Sequence, residues 1–128
     1  MSIPVLELEG FLLASIHEAL EDSDALRLKK DLLDGLRRTR ARGVLIDVSG
    51  VDIVDSFSAR VLGGIGGAAR LMGARTVLVG LQPEVAMTMV ELDLELRDVA
   101  TELNANRGLQ FLRALVDGRD PRETERGG

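Results

Sequence analysis

Val44-Leu45-Ile46-Asp47-Val48-Ser49-Gly50-Val51-Asp52-Ile53-Val54-Asp55-Ser56-Phe57-Ser58-Ala59 is the stretch that decides the fold. Val44 to Val48 is too short and too β-branched for a helix. With little polar alternation, it reads as a buried strand. An acidic loop follows from Ser49 to Val54, and a helix is expected from about Ser56 to Met72. A hydroxyl at that helix start sits among free backbone N–H groups at the positive end of the dipole, which suits a site that can carry phosphate.

Upstream, Ile3 to Leu8 and Phe11 to Ile16 are apolar runs joined near Glu9-Gly10, expected as a hairpin with Gly10 in the turn. Asp22-Ser23-Asp24 offers N-cap residues for an amphipathic helix of roughly four turns. Leu28, Leu32, Leu33 and Leu36 recur along it at helical spacing, and Gly43 is expected as its stop or as the turn after it. Downstream, Val61, Leu62, Ile65, Ala68, Ala69 and Met72 form one face of the second helix, with Arg60, Gly63, Gly64, Gly67 and Arg70 away from it.

A second buried strand is expected at Thr76 to Val79, after the Gly73 turn. Pro83 then suits a first helical position and Glu84 the positive end of its dipole. A short last strand is expected around Arg97 to Ala100, and a last helix from about Asn106 carries Leu109, Leu112, Ala114, Leu115 and Val116. Strands first, then helix and strand in alternation, predict an α/β fold: a mixed, largely parallel sheet of about four to five strands, covered by about four to five helices. One domain is expected over residues 1–117, with 118–128 a flexible charged tail.

Composition narrows the function. The chain has 128 residues, 45% of them apolar, and a formal net charge of −5. That is enough chain to bury a core, and the acidic balance argues against a grip on nucleic-acid phosphates. The 14 Arg and 2 Lys are spread along the sequence, and only Phe11, Phe57 and Phe111 could stack on bases. Cysteine is absent, which excludes disulfides, thiolate catalysis and cysteine–zinc sites. No apolar run approaches the ~18 residues of a membrane span and no leader pattern opens the chain, so a cytoplasmic protein is expected.

Gly63-Gly64-Ile65-Gly66-Gly67 invites a nucleotide reading, but a dinucleotide fingerprint places its glycines in the turn directly after a strand. These lie inside a helical pattern, where each costs roughly 1 kcal/mol against alanine. Close approach of another backbone or subunit is the better reading. His17 is the only histidine and has no partner for a zinc site or a triad, so it reads as a partly exposed structural residue. Asp47, Asp52 and Asp55 crowd one strand end. Loop solvation and helix capping explain them better than a divalent ion does, and no metal or cofactor is expected. Ser56 itself could be a helix cap or a site of modification; Asp55 competes for the cap, and spacing alone leaves both open.

Val-Asp-Ile-Val-Asp-Ser-Phe at 51–57, Leu71-Met72-Gly73-Ala74, and Gly80-Leu81-Gln82-Pro83-Glu84-Val85-Ala86 resemble the STAS-domain family of anti-sigma-factor antagonists, over about Ile3 to Val116. The match is to the RsbS-type core subunit of the bacterial stressosome. The resemblance implies a STAS-like sheet and a non-enzymatic protein that sequesters a switch kinase. It also implies phosphorylation at Ser56, with Ser58 and Thr88 as weaker alternatives, and a partner surface at Asp52, Asp55 and Phe57. Ser58 departs from the pattern, standing where a bulkier apolar residue is usual.

The implied partners are a sensor-bearing RsbR-type paralogue, an RsbT-type serine kinase and an RsbX-type phosphatase, together with self-association. No nucleic acid or membrane is expected among them. Serine at position 56 and a first strand at the start of the chain favour the subunit without a sensor domain. The alternative is a free antagonist that docks directly on an anti-sigma-factor kinase. A small phosphotransferase or hydrolase using the aspartates and a metal ion fits less well, since a histidine base and a phosphate loop are both missing.

Overall fold

The structure, a computed structural model, describes residues 3–17, 19–93 and 96–118. The expected tail therefore lies, past Gly118, outside the described residues. The chain opens with a hairpin of β1 (Val5–Leu8) and β2 (Phe11–Ser15), paired antiparallel. Its two-residue turn has Glu9 at φ 56° and Gly10 at φ 83°, the doubly positive geometry whose twist matches the flanking strands. Glutamate is unusual there; its carboxylate is held by Arg113 at 2.6 Å.

The rest alternates: α1 (Asp22–Thr39), β3 (Gly43–Asp47), α2 (Ser56–Leu71), β4 (Arg75–Val79), α3 (Pro83–Glu91), β5 (Val99–Glu102) and α4 (Ala105–Val116). The five strands lie in the order β1-β2-β3-β4-β5, and every pair after the hairpin is parallel. The mixed, largely parallel α/β sheet is as expected, with four helices among the described residues.

Alternation along the strands divides the interior in two. Leu12, Ala14, Val44, Ile46 and Leu78 join the buried stripe of α1, with α2 and with Val85 and Met89 of α3. Phe11, Leu45, Val77 and Val79 point the other way, onto Leu112 of α4. Three helices therefore supply one layer and α4 the other. In α1 the buried residues Ala25, Leu28, Leu32 and Leu36 recur every three to four positions, the spacing that put this helix in the sequence reading.

Several local expectations are corrected. Asp22-Ser23-Asp24 does not cap α1 but lies inside its first turn; Glu21 is the capping position and makes no side-chain cap bond. Gly43 does not stop α1: Arg40 does, in a left-handed conformation with its N–H on the Leu36 carbonyl, and Gly43 opens β3. Met72 is no core residue, because α2 ends one residue earlier and leaves it exposed. The last strand sits two residues later than Arg97 to Ala100, and α4 starts at Ala105, capped by Asn104.

The glycine-rich part of α2 meets another segment of the same chain. A Cβ on Gly66 would stand 2.5 Å from Val99 Cγ2, so the absence of a side chain lets α2 lie against the entry to β5. Lys29 of α1 crosses near Gly64. The close approach expected of these glycines is made at Gly66, by backbone from within the chain, whereas Gly64 and Gly67 meet only side-chain ends at 3.3 Å and 3.6 Å.

Candidate functional site

All four parallel strands end at one pole, and α1 and α2 begin there. The loop from β3 to α2 is pinned at that pole by its own residues. Val51 and Val54 are buried, which turns Asp52 and Ile53 outward. Asp47 Oδ1 accepts the Ser49 N–H at 2.9 Å, and Gln82 Nε2 donates to the Ser49 carbonyl at 2.8 Å. Gln82 is thus a structural strut between this loop and the start of α3. Its place in Gly80-Leu81-Gln82-Pro83-Glu84 carries no local sign of that task.

Asp55 caps α2: its Oδ1 accepts the Ser58 N–H at 2.7 Å. With the cap supplied one residue earlier, Ser56 becomes the first helical residue, half-buried. Among the described residues its hydroxyl makes no hydrogen bond, so it stays available at a helix start where Asp55 takes the Ser58 and Ala59 N–H groups. Phe57 is 40% exposed and Ile53 is 69% exposed, so two apolar side chains stand in water on either side of this serine along the chain.

The neighbouring hydroxyls are differently placed. Ser58 is fully buried and donates to the Leu20 carbonyl at 3.1 Å, across 38 positions of sequence. Thr88 is exposed on α3, with Oγ1 bonded to the Glu84 carbonyl one turn back at 2.9 Å. His17 is exposed. Asp47, Asp52 and Asp55 are divided between a turn, solvent and a cap, and among the described residues no three metal-ligating side chains gather.

One residue at this corner escaped the sequence reading. Asp22, in the first turn of α1, faces Asp55 across the two helix starts. Partial loss of hydration, then the hydrogen bond and negative charge of Asp55, push the Asp22 carboxyl above its ordinary pKa. Asp55 is held below its own, chiefly by the Ser58 N–H. Nothing in the local sequence pairs these two; only the packing of α1 on α2 does.

Residues 2–104 match the STAS domain. The chain is 33% identical over 115 residues to the RsbT co-antagonist protein RsbRA of Bacillus subtilis (strain 168), covering 90% of this chain and 41% of that protein. The RsbT co-antagonist protein RsbRB of the same organism is 29% identical over 114 residues, covering 87% and 40%. This chain thus spans less than half the length of these curated relatives. Among solved structures, Moorella thermoacetica RsbS superposes with a TM-score of 0.79 at 36% identity, over 90% of this chain and 97% of that one. A chain of a structure titled for the molecular architecture of the stressosome gives 0.73 at 35% identity, over 88% and 98%.

Proposed function

The chain belongs to the STAS-domain family, with stressosome proteins among its structural neighbours, and on that premise we propose that it is a stressosome core subunit and kinase-sequestering antagonist switched by phosphorylation at Ser56. One observation carries the reading. Ser56 presents an unbonded hydroxyl at the first position of α2 because Asp55 has taken over the cap.

The chemistry of the corner favours a switch. A phosphate on Ser56 gains from the helix N-terminus yet adds about −1.5 to −2 charges beside Asp52 and Asp55. A kinase surface fitted to a neutral hydroxyl between Ile53 and Phe57 would then have to desolvate that charge without a partner. A loss of about 1.4 kcal/mol weakens binding tenfold, and a poorly paired charge at an interface costs more than that. Ser58 competes poorly as an acceptor, since its hydroxyl is buried and bonded to Leu20. Thr88 is accessible but lies on a different helix.

The partners proposed are an RsbR-type paralogue in a mixed assembly, an RsbT-type kinase held by the Asp52–Phe57 surface, and an RsbX-type phosphatase that resets it. Among the described residues no helix is long and apolar enough to cross a membrane. Incubation with an RsbT-type kinase and Mg-ATP, with mass-spectrometric mapping, is expected to place phosphate on Ser56. Phosphate elsewhere, with Ser56 untouched, overturns the site. Co-purification with an RsbR-type paralogue as a large particle supports the stressosome role, whereas a one-to-one complex with a kinase points to the free antagonist.

A further inference from the structure

Arginines spread along the sequence are gathered by the fold. β3, β4 and β5 run parallel, so their first residues share one pole and their last residues the other. Arg42 leads directly into β3, Arg75 opens β4, and Arg97 stands two residues ahead of β5. At the far ends, Asp47 closes β3 and Glu102 closes β5. Each of these strands is entered through a cation, and β3 and β5 are left through a carboxylate.

Backbone hydrogen bonds fix the arginine pole. The Arg75 N–H donates to the Arg42 carbonyl at 3.2 Å, and the Arg42 N–H donates to the Gly10 carbonyl at 3.1 Å. α1 ends at the same pole, with Arg38 in its last turn and Arg40 as its left-handed cap. Arg38, Arg40 and Arg42 are exposed and Arg75 is half-buried, and among the described residues none of them has an ion pair. The C-terminal dipole of α1 accounts for Arg38. It does not account for Arg42 and Arg75, which flank strands, where the net dipole is small. Leu71, 91% exposed, and Met72 stand at this pole too, at the end of α2. The opposite pole has the reverse charge: Glu21, Asp52 and Glu84 are exposed there without an ion pair among the described residues, alongside exposed Ile53 and Phe57.

We propose that the arginine pole of one copy takes the acidic pole of a second copy, head to tail. Charge complementarity selects this occupant. One end offers guanidinium groups around Leu71 and Met72, and the other offers carboxylates around Ile53 and Phe57. Guanidinium forks pair with carboxylates through two hydrogen bonds, and the apolar side chains add buried area. A nucleic acid or an anionic membrane would instead meet a chain of net charge −5, whose long-range field repels both. Because the two surfaces differ, a pair leaves one pole of each kind open for further copies. Asp52 also belongs to the surface proposed for the kinase, and on that reading a seated neighbour and a kinase compete for one pole.

The test is sedimentation velocity of the full-length chain over a concentration series, at about 50 and about 300 mM salt. Wild type is expected to associate at the lower salt and to come apart at the higher. Arg40→Asn/Arg42→Gln weakens the arginine pole, with asparagine suited to the left-handed cap, and Glu21→Gln/Asp52→Asn weakens the acidic pole. Each variant alone is expected to associate about tenfold more weakly than wild type. An equimolar mixture is expected to regain wild-type affinity as a one-to-one pair, since each variant brings the pole the other lacks. Wild type that stays monomeric at low salt, association indifferent to salt, or a mixture no tighter than its components overturns the head-to-tail contact. These arms use the unmodified chain and stand apart from Ser56. An RsbT-type kinase is then expected to dissolve the wild-type association. A kinase that binds without dissolving it overturns the competition, whereas one that does not bind at all overturns the kinase reading and leaves the contact standing.

Discussion

Gly66 of α2 lies against the carbonyl of Asp98: a Cβ at position 66 would stand 2.8 Å from that oxygen and 2.5 Å from Val99 Cγ2. The obstacle includes backbone, which cannot swing aside as a long side chain would. Gly66→Ala is therefore expected to destabilise the protein by about 1–3 kcal/mol, despite the better helix propensity of alanine. Gly67 is the internal control. Its nearest neighbour would be Asp98 Oδ2 at 3.6 Å, an ordinary contact. Gly67→Ala should gain up to about 1 kcal/mol. Urea unfolding of the two variants checks the opposite signs.

Thr76 is buried in β4, and among the described residues its hydroxyl has no hydrogen-bond partner. An unpaired buried hydroxyl costs its desolvation, so Thr76→Val is expected to raise stability by about 1 kcal/mol. An unchanged or lower thermal midpoint would contradict the unpaired state of that oxygen.

Ser56 and Ser58 should separate cleanly by mutation. Ser58→Ala breaks the buried bond to Leu20 and is expected to cost about 1 kcal/mol or more, with phosphate uptake retained. Ser56→Ala breaks no hydrogen bond, should change stability by less than ~0.5 kcal/mol, and should abolish uptake. Parallel denaturation and mass spectrometry read both quantities.

The carboxyl pair makes opposite contributions to acid stability. Asp55 titrates lower in the folded state, so its stabilisation is present above the unfolded value of ~3.9 and is lost as pH falls through the folded one. Asp22 titrates higher, so its contribution is complete below the unfolded value and is lost as pH rises through the folded one. At pH 7, Asp22→Asn is expected to be more stable than wild type and Asp55→Ala less. Both differences should shrink on acidification below about pH 4. Denaturant midpoints collected at several pH values test the signs.

Ile53 and Phe57 project beside Ser56 while Val51 and Val54 bury the same loop. Ile53→Ala and Phe57→Ala are expected to weaken kinase binding roughly tenfold or more while moving stability by less than ~1 kcal/mol. Calorimetric titration with the kinase, set beside thermal unfolding, distinguishes a lost contact from a lost fold.

The long-period features were legible from the residues. Leu28, Leu32 and Leu36 announced α1, Val44 to Val48 announced β3, and Pro83 with Glu84 announced α3, because each signal is carried within one element. Element ends were less legible. Arg40 stops α1 in a conformation usually left to glycine, and Asn104 caps α4 where only the apolar pattern had been followed. Such ends depend on one or two backbone torsions, which composition barely records.

Around Ser56 the division is the same. The sequence by itself determined a helix start with Asp55 and Ser56 as rival caps; the structure decided for Asp55, whose Oδ1 takes the Ser58 N–H and leaves Ser56 as the first helical residue. Tertiary structure alone decided that Ser58 is closed onto Leu20, that Gln82 braces Ser49, and that Asp22 meets Asp55. These contacts join positions tens of residues apart, and they exist only once α1 and α2 pack on the sheet. Helix starts and caps are local properties of the backbone, whereas the burial, bracing and pairing of polar groups are set by what the fold brings alongside.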